Sequence, residues 1–465
     1  MTVPEWVQDA VFYQIFPDRF ENGDPTNDPV NVQPWGSKPT VWGFQGGDLR
    51  GVLNRFDYLV DLGVNAIYLN PIFQATSNHR YNTTDYYKID PKLGDSTDFK
   101  KLCDLAHRHN VRVILDGVFN HCGRSFFAFA DVLENREFSP YRHWFHIRHF
   151  PVDAFSPGEA KDYLAWWGIK SLPKFNTSNP DVRSYLFGVA RYWLEQGVDG
   201  WRLDVPNEID DDEFWAEFHH AVKSVNPDAY LLGEIWKPDA RWVGDEHFDG
   251  LMNYPLRECI LSLVHPSGSD MAPGMAKLDR LSQLYPAENT NAMYNLLGSH
   301  DTERALYMCG EDKLRLKLAY LLLFAYPGAP GIYYGDEIGL SGGKDPECRA
   351  AFPWDEQKWD HDLHSYVKAL IAARKLIPAI RRGEYRHIHS DNRRRCFAFA
   401  RRLGDQAILI VINASSARRH LCLPVVEMGW TDERIVRNSL GGEEYRVSGE
   451  KLFVDLAPLS GVWLT

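Results

Sequence analysis

Short apolar runs alternate with amphipathic stretches along the first 382 residues of the chain. Eight runs rich in β-branched or aromatic residues can be distinguished: VFYQIF (11–16), NAIYLN (65–70), VRVILDGV (111–118), DGWRLDV (199–205), AYLLGEI (229–235), FDGLMNY (248–254), YNLLGSHD (294–301) and GIYYGDE (331–337). An apolar run, a helix and another apolar run are typical of βαβ units with a parallel sheet. Eight such units predict an α/β fold, a closed (β/α)8 TIM barrel, because open doubly wound sheets usually have fewer strands.

Helices are predicted between the runs wherever apolar residues recur every three or four positions. One is expected over Asp98 to His109 and another over Asp181 to Gln196, ending at Asn110 and Gly197 respectively. A third is expected over SYVKALIAARKLIPAI (365–380), at the end of the alternating region.

Two segments interrupt this alternation. Residues 121–178 are rich in aromatic residues, Pro and His and are too long for a simple loop, which predicts an inserted domain after strand three. From residue 383 the pattern changes to strict β alternation, as in CFAFARR and AILIVIN, which predicts a small antiparallel β domain over 383–465. Residues 1–120 and 179–382 would then be the two parts of a catalytic barrel.

The amino-acid composition limits the classes of ligand that the protein is expected to bind. The net charge of −12 excludes a broad basic surface for nucleic acid or an anionic membrane, and no apolar stretch reaches the length of a membrane span. The N-terminus lacks the order of a secretory signal and the seven cysteines are scattered, so we expect buried thiols and a cytoplasmic protein. Fifteen Trp and twenty-two Tyr suit a neutral, sugar-like ligand, although most of these rings will lie in the core.

Charged and polar residues follow the predicted strands at their carboxyl ends. They are Asp116, Asn120 and His121 after strand three, Arg202 and Asp204 in strand four, Glu234 after strand five, and His300 and Asp301 after strand seven. A single such residue is usually a buried polar group with a structural partner. Four strands ending this way at one rim indicate an active site, because barrel enzymes place their catalytic groups there.

Three carboxylates with an arginine and two histidines, and no H-E-x-x-H spacing, favour acid/base and nucleophilic chemistry. Arg202 and Asp204 lie two positions apart in a strand and share one face, so the guanidinium favours an ionised, nucleophilic Asp204. A purely structural ion pair is the alternative. Glu234 lies beside apolar Ile235 and Trp236, which would raise its pKa and suit it to be the acid.

Four ordered motifs carry a family resemblance: DGVFNH (116–121), GWRLDV (200–205), GEIW (233–236) and SHDTE (299–303). By these motifs the chain is identified as a member of the α-amylase family of glycoside hydrolases. The resemblance implies a TIM barrel with an inserted domain, a C-terminal antiparallel β-sandwich and a retaining mechanism. It also implies residue roles: Asp204 as nucleophile, Glu234 as general acid/base, Asp301 as the third carboxylate, and Tyr81, His121, Arg202, Trp236 and His300 as substrate contacts.

The subgroup is indicated by SLPKFN (171–176), which resembles the M-P-K-x-N motif of the neopullulanase, cyclomaltodextrinase and maltogenic amylase group, with Leu172 in place of Met. Pro206 stands where Ala is usual, which leaves substrate preference at nearby subsites open. Members of this group typically carry an N-terminal β domain, whereas here the first barrel strand begins by about Ala10. We therefore expect a different oligomer or a more open site.

The leading hypothesis is an intracellular retaining hydrolase that cleaves α-1,4 bonds of cyclodextrins, maltooligosaccharides or pullulan, with some transfer to sugar acceptors. An α-1,6 debranching enzyme and an exo-acting α-glucosidase remain alternatives within the family. A non-catalytic carbohydrate-binding protein is disfavoured because all three carboxylates are present. The sequence leaves open the preferred bond, the chain length, the ratio of hydrolysis to transfer and the oligomeric state.

A structural Ca²⁺ site is predicted from NGDPTND (22–28) and GGD (46–48), which resemble a calcium loop of related neopullulanases and cyclodextrin glucanotransferases. The implied ligands are Asn22, Asp24, Asn27, Asp28, Gly46 through its carbonyl, and Asp48. Calcium prefers six to eight such oxygens. An ordinary turn is the alternative, because Asn, Asp, Gly and Pro are turn formers.

Overall fold

Eight parallel strands form a closed barrel in the computed structural model, which describes residues 3–266 and 271–465. The strands of the chain are β1 (Phe12–Ile15), β2 (Ala66–Leu69), β3 (Phe73–Ala75), β4 (Thr83–Ile89), β5 (Arg112–Gly117), β6 (Gly200–Leu203), β7 (Tyr230–Gly233), β8 (Gly250–Leu251), β9 (Tyr294–Leu296), β10 (Ala329–Tyr333), β11 (Glu384–Asp391), β12 (Cys396–Leu403), β13 (Gln406–Asn413), β14 (Arg419–Pro424), β15 (Ile435–Arg437), β16 (Glu444–Ser448), β17 (Lys451–Leu456) and β18 (Ser460–Leu464).

The helices surround the barrel or lie in its connections. They are α1 (Glu5–Gln8), α2 (Leu49–Asn54), α3 (Phe56–Leu62), α4 (Ser96–Arg108), α5 (Phe127–Asn135), α6 (Pro180–Glu195), α7 (Asp212–Val225), α8 (Tyr254–Val264), α9 (Met271–Leu281), α10 (Ala287–Asn291), α11 (Ala305–Met308), α12 (Lys313–Ala325), α13 (His361–Leu376) and α14 (Pro378–Arg382).

The barrel strands follow the order β8-β7-β6-β5-β2-β1-β10-β9. A parallel bridge between Met252 and Tyr294 joins the two ends, and the Asn253 N–H donates to the Tyr294 carbonyl at 2.8 Å. The predicted TIM barrel is therefore confirmed, with all eight strands where the apolar runs predicted them. These strands are buried on both faces, which explains why the runs are continuously apolar and do not alternate between apolar and polar residues.

The barrel interior is filled by one apolar cluster that includes Phe12, Tyr68, Ile114, Leu232 and Tyr294. These side chains occupy alternate strand positions and so point to the same side of the sheet. The outward side chains join the much larger core beneath the helices. The charged residues Arg202, Asp204 and Glu234 lie at the carboxyl ends of β6 and β7, which places the site at that rim.

Side-chain caps explain why the helices begin slightly before their predicted bounds. Asp95 accepts hydrogen bonds from the N–H groups of Thr97 and Asp98 ahead of α4, and Asn179 accepts one from Asp181 ahead of α6.

The third predicted helix is wrong in one respect, since it is two helices. Ile377 separates α13 from α14 with φ −112° and ψ 91°. Pro378 causes the break because it lacks an N–H and disfavours helical geometry in the residue before it.

The segment between β5 and α6 contains α5 and short antiparallel bridges such as His121 with Lys174 and Phe145 with Phe175. After α14 the chain forms two four-stranded antiparallel sheets, β11-β12-β13-β18 and β14-β17-β16-β15. These two sheets enclose a separate apolar cluster, as expected for the predicted sandwich.

Candidate active site

Arg202 is the centre of the polar cluster at the carboxyl rim of the barrel. It lies on β6, is fully buried, and its Nη1 donates to Asp116 Oδ1 at 2.8 Å and to Asp204 Oδ1 at 3.0 Å. Its Nη2 lies 2.9 Å from Glu234 Oε1. One guanidinium thus balances carboxylates from the ends of three neighbouring strands, β5, β6 and β7.

Asp116 fixes the orientation of that guanidinium. While its Oδ1 accepts from Arg202, its Oδ2 accepts from the hydroxyl groups of Tyr68 at 2.6 Å and Tyr81 at 2.7 Å. Asp116 is buried, and its carboxylate is bound by Arg202 and by two tyrosine hydroxyl groups. We therefore assign it to positioning, by holding Arg202 toward Asp204.

His300 is neutral, and its tautomer follows from its neighbours. Its Nδ1 lies 3.0 Å from Gln14 Nε2 and 3.1 Å from Asn70 Nδ2, and both amide nitrogens are donors. The proton is therefore on Nε2, which faces the Tyr81 oxygen at 2.6 Å and Asp301 Oδ2 at 3.0 Å. Burial lowers the pKa of His300 well below its ordinary value, which agrees with the neutral form.

Tyr81 lies parallel to the His300 ring, with centroids 5.4 Å apart and planes 4° apart. It is half-buried, and the hydrogen bonds of its hydroxyl hold the ring still. Asp301 is exposed to the cleft on the other side of His300, and Arg349 Nη2 lies 3.4 Å from its Oδ1.

Glu234 follows β7 and is held on both carboxyl oxygens. The backbone N–H of Val205 donates to Oε2 at 2.9 Å, and Trp236 Nε1 donates to Oε1 at 3.2 Å. Val205 reaches this position with φ 39° and ψ 50°, a left-handed conformation that is unfavourable for a β-branched residue. Such strain is characteristic of functional sites, where the surrounding structure maintains it.

Asp204 and Glu234 are both buried, and both lie against Arg202. Burial raises the pKa of Glu234 to about 7, against the opposing charge of Arg202. Burial also raises the pKa of Asp204 well above its ordinary value, and Arg202 opposes that rise. The negative charge of each carboxylate disfavours ionisation of the other, so the pair favours one ionised and one protonated group. We assign Asp204, which accepts a hydrogen bond from Arg202 Nη1, as the ionised member.

His121 and Trp236 form the sides of the site. His121 is buried with its Nδ1 3.2 Å from Asn120 Nδ2, and within the described part of the chain its Nε2 has no hydrogen-bond partner. Trp236 is partly exposed and lies flat on Tyr254, with ring centroids 3.7 Å apart. A buried ring nitrogen and an exposed indole face are suited to a hydroxyl group and an apolar sugar face, respectively.

The structure brings all eight predicted catalytic and substrate-binding residues to one rim, and it adds Gln14, Asn70 and the Val205 N–H. Gln14 and Asn70 lie in or directly after β1 and β2. Their sequence signal was a polar residue at the carboxyl end of an apolar run, the same signal used for the charged residues. No sequence pattern indicated the Val205 N–H, since its contact with Glu234 depends on the backbone conformation of Val205.

The predicted calcium loop forms around Asp48. Asp48 Oδ1 accepts from the N–H groups of Gly23 and Gly51, and Oδ2 accepts from the N–H of Asp24 and from Asn27 Nδ2. Both oxygens of Asp48 therefore organise the loop.

Three other predicted ligands face one another beside Asp48. The buried Oδ1 atoms of Asn22 and Asn27 have no hydrogen-bond partner in residues 3–266 or 271–465, and Asn22 Nδ2 lies 3.0 Å from both Asp28 carboxyl oxygens. Gly46 is packed against this group, because a Cβ at that position would lie 2.3 Å from Asp28 Oδ1. The Asp24 carboxylate turns away and accepts from Thr26.

The arrangement supplies one buried acid, one ionised carboxylate and neutral hydrogen-bonding groups within a cleft lined by aromatic rings. That set can protonate a leaving oxygen while stabilising or attacking a cationic carbon, as glycoside hydrolysis requires. Within the described ranges no helix is both long and apolar enough to cross a membrane.

Comparisons with known proteins agree with the geometry. Residues 14–398 match the alpha amylase catalytic domain, and residues 385–463 match the maltogenic amylase C-terminal domain. The chain is 44% identical to a cyclomaltodextrinase of Geobacillus thermopakistaniensis over 98% of its own length and 76% of that protein. It is 43% identical to neopullulanase 2 of Thermoactinomyces vulgaris, over 100% of its own length and 78% of that protein.

A solved structure is also similar over its full length. The cyclic alpha-maltosyl-(1→6)-maltose hydrolase of Arthrobacter globiformis, in complex with cyclic alpha-maltosyl-(1→6)-maltose, superposes with a TM-score of 0.91 at 40% identity. The match covers 100% of both chains.

Proposed function

Since the chain belongs to the alpha-amylase family of glycoside hydrolases, as its motifs predicted, we propose that it cleaves α-1,4-glucosidic bonds of cyclodextrins, maltooligosaccharides or pullulan with retention of configuration. The observation that carries this proposal is the buried pair of Asp204 and Glu234, which share Arg202 at the rim of the barrel. We assign Asp204 as the ionised member of the pair and Glu234 as the protonated one. The names of the relatives support the substrate class.

Two proton-balanced steps follow from these charge states. Asp204 attacks the anomeric carbon while Glu234 gives its proton to the glycosidic oxygen, so the carbon–oxygen bond breaks and a glycosyl ester forms. Glu234, now ionised, takes a proton from water as that water attacks the same carbon, and Asp204 leaves as a carboxylate. A sugar hydroxyl in place of water gives the transfer product.

The first experiment removes the two carboxyl functions in turn. Asp204→Asn should abolish turnover because it has no charge for the attack, and Glu234→Gln should lower kcat by about 10²–10⁴-fold because it cannot protonate the leaving oxygen. Proton NMR of the first product should show the α-anomer. Near-normal hydrolysis by Asp204→Asn, or an initial β-anomer, would contradict the mechanism.

An α-1,6-specific activity is the second candidate. It is favoured by the solved hydrolase of cyclic alpha-maltosyl-(1→6)-maltose, which matches this chain from end to end. Product profiles from cyclodextrin, pullulan, starch and a branched maltooligosaccharide, measured side by side, separate the two. Maltose from cyclodextrin supports the α-1,4 proposal, whereas release only at branch points supports the second.

We also propose that the loop around Asp48 holds a structural Ca²⁺ ion. The support is the pair of unpartnered buried amide oxygens on Asn22 and Asn27, next to the Asp28 carboxylate. Turning the Asn22 amide by 180° would place its oxygen opposite that carboxylate, and two facing acceptors need a cation between them. Asp48 then orders the loop, and Gly46 lies beside Asn22 and Asp28.

A chelator tests the calcium proposal without measuring activity. EGTA should lower the melting temperature, added Ca²⁺ should restore it, and Asn22→Ala should remove the response to both, because the ion stabilises only the folded state. An unchanged melting curve in EGTA would make this stretch an ordinary turn.

We place the enzyme in the cytoplasm. All seven cysteines are free thiols and six of them are buried, which suits a reducing compartment. Cell fractionation with an antibody against the chain tests this location.

A further inference from the structure

Two consecutive tryptophans occupy a tight turn of the inserted segment beside the site. Trp166 and Trp167 stack with ring centroids 4.4 Å apart and planes 13° apart. On its other side Trp166 stacks on His121, at 5.3 Å and 21°. The three rings form a column that begins at a substrate-facing residue and ends at the solvent.

Trp167, which carries the outer ring, has an unfavourable backbone conformation and a mostly exposed side chain. Trp167 has φ 50° and ψ 27°, the left-handed region that bulky residues avoid, and 75% of its surface is exposed. A core residue would gain burial in return for such strain, whereas the indole of Trp167 makes one ring contact among the described residues, with Trp166. Conformational strain in a surface aromatic residue next to an active site indicates a functional use.

The backbone around the turn is firmly anchored. The Trp166 N–H donates to the Leu172 carbonyl at 2.9 Å, and the Ala160 N–H donates to the Gly168 carbonyl at 2.8 Å. Residues Ala165 and Pro173 pair across its base, close to the bridge between His121 and Lys174. The position of the exposed indole is therefore fixed relative to the rim of the barrel.

We propose that the outer face of Trp167 is a sugar-stacking subsite, which binds a glucose unit of an α-glucan chain outside the reacting subsite. An exposed, rigid indole offers a flat apolar face that matches the C–H face of a sugar. This face lies two ring contacts beyond His121, so we expect a chain of several glucose units, but not a disaccharide, to reach it. This inference rests on the proposed α-glucan substrate and specifies which substrates benefit.

The test compares long and short sugars in a background that does not turn them over. With Glu234→Gln, the Kd of maltoheptaose and of maltose are measured by calorimetry, before and after Trp167→Ala. We expect the maltoheptaose Kd to rise about tenfold, the size of one aromatic contact, and the maltose Kd to change less than twofold.

Two further variants separate binding from folding. Trp167→Phe keeps a ring and should recover most of the affinity for maltoheptaose. Trp167→Gly removes the ring and also relieves the positive φ, so it should lose the affinity while melting at least as high as the parent. Phe138→Ala, another highly exposed aromatic residue of the same segment, is the matched control and should leave both Kd values unchanged.

The outcomes distinguish this inference from the proposed function. If Glu234→Gln binds neither sugar, the α-glucan proposal itself is wrong. If it binds both, and Trp167→Ala leaves the ratio of the two Kd values unchanged, the indole only caps Trp166 and the subsite does not exist.

Discussion

At the scale of single residues, the site depends on one guanidinium that lies between two buried acids. Arg202 Nη1 donates a hydrogen bond to Asp204 at 3.0 Å, its Nη2 lies 2.9 Å from Glu234 Oε1, and burial acts on both carboxyl groups. The apolar neighbours of Glu234 correctly predicted the direction of its pKa shift. The raised pKa of about 7 lets this carboxyl group act as an acid near neutral pH.

This pKa predicts the alkaline limb of the pH–rate profile. Glu234 must be protonated to act, so kcat/KM should fall tenfold for each pH unit above about 7, while the requirement for an ionised Asp204 sets a separate fall at acid pH. In Glu234→Gln, tested on an aryl α-maltoside whose leaving group needs little protonation, that limb should disappear. An unchanged alkaline limb in the variant would assign it to another group.

At the scale of elements, the short strand β8 is connected to its surroundings by a buried side-chain ion pair as well as by its ladder. The strand has two residues, and Asp249 just before it is bound by Lys223 of α7 at 2.9 and 3.0 Å. Lys223 also donates to the Ala229 carbonyl, and Asp249 Oδ2 accepts from the Leu231 N–H of β7. One buried pair thus connects a helix to two neighbouring strands.

Removing the cation of this pair should be costly. Lys223→Met leaves Asp249 charged in the protein interior, and we expect a loss of ~3–5 kcal/mol in the free energy of unfolding, measured in urea. The double variant Lys223→Met/Asp249→Asn removes both charges and should recover part of the loss. A single variant as stable as wild type would show that the pair does not hold β8 in place.

At the scale of the whole molecule, Arg401 joins the C-terminal β domain to the barrel. It lies on β12, is fully buried, and donates to the Ala325 carbonyl at the end of α12 and to the Gly383 carbonyl at the domain junction. The last carbonyl groups of a helix have no hydrogen-bond partner within the helix. Here the Arg401 guanidinium, from the β domain, donates to the Ala325 carbonyl of α12.

Arg401→Met should therefore weaken the attachment of the β domain. Two buried carbonyls lose their donor, so we expect about 1–3 kcal/mol lower stability and faster proteolysis near residue 383. Arg402→Met on the same strand is the matched control, since Arg402 bonds only surface carbonyls of Gly404 and Glu427 in the described structure. Equal effects of both variants would rule out a specific role for Arg401.

The sequence by itself determined the eight strands, the family and the set of residues at the rim, because apolar runs and strand-end charges are local patterns. The break before Pro378 is also a local signal, although the helix prediction ran through it. The left-handed Val205 whose N–H reaches Glu234 could not be predicted from any local pattern. The hypotheses on residue roles and calcium stay predictions that the experiments above address.

Tertiary structure alone decided which groups contact one another in the site, and with them the tautomer of His300. Gln14 and His300 are 286 positions apart, yet their contact sets the tautomer of the histidine. Arg202 meets Asp116 across 86 positions, and Trp166 meets His121 through the fold of the inserted segment. The physical reason is that pKa values and ring contacts depend on distances between residues remote in sequence, which closure of the barrel creates.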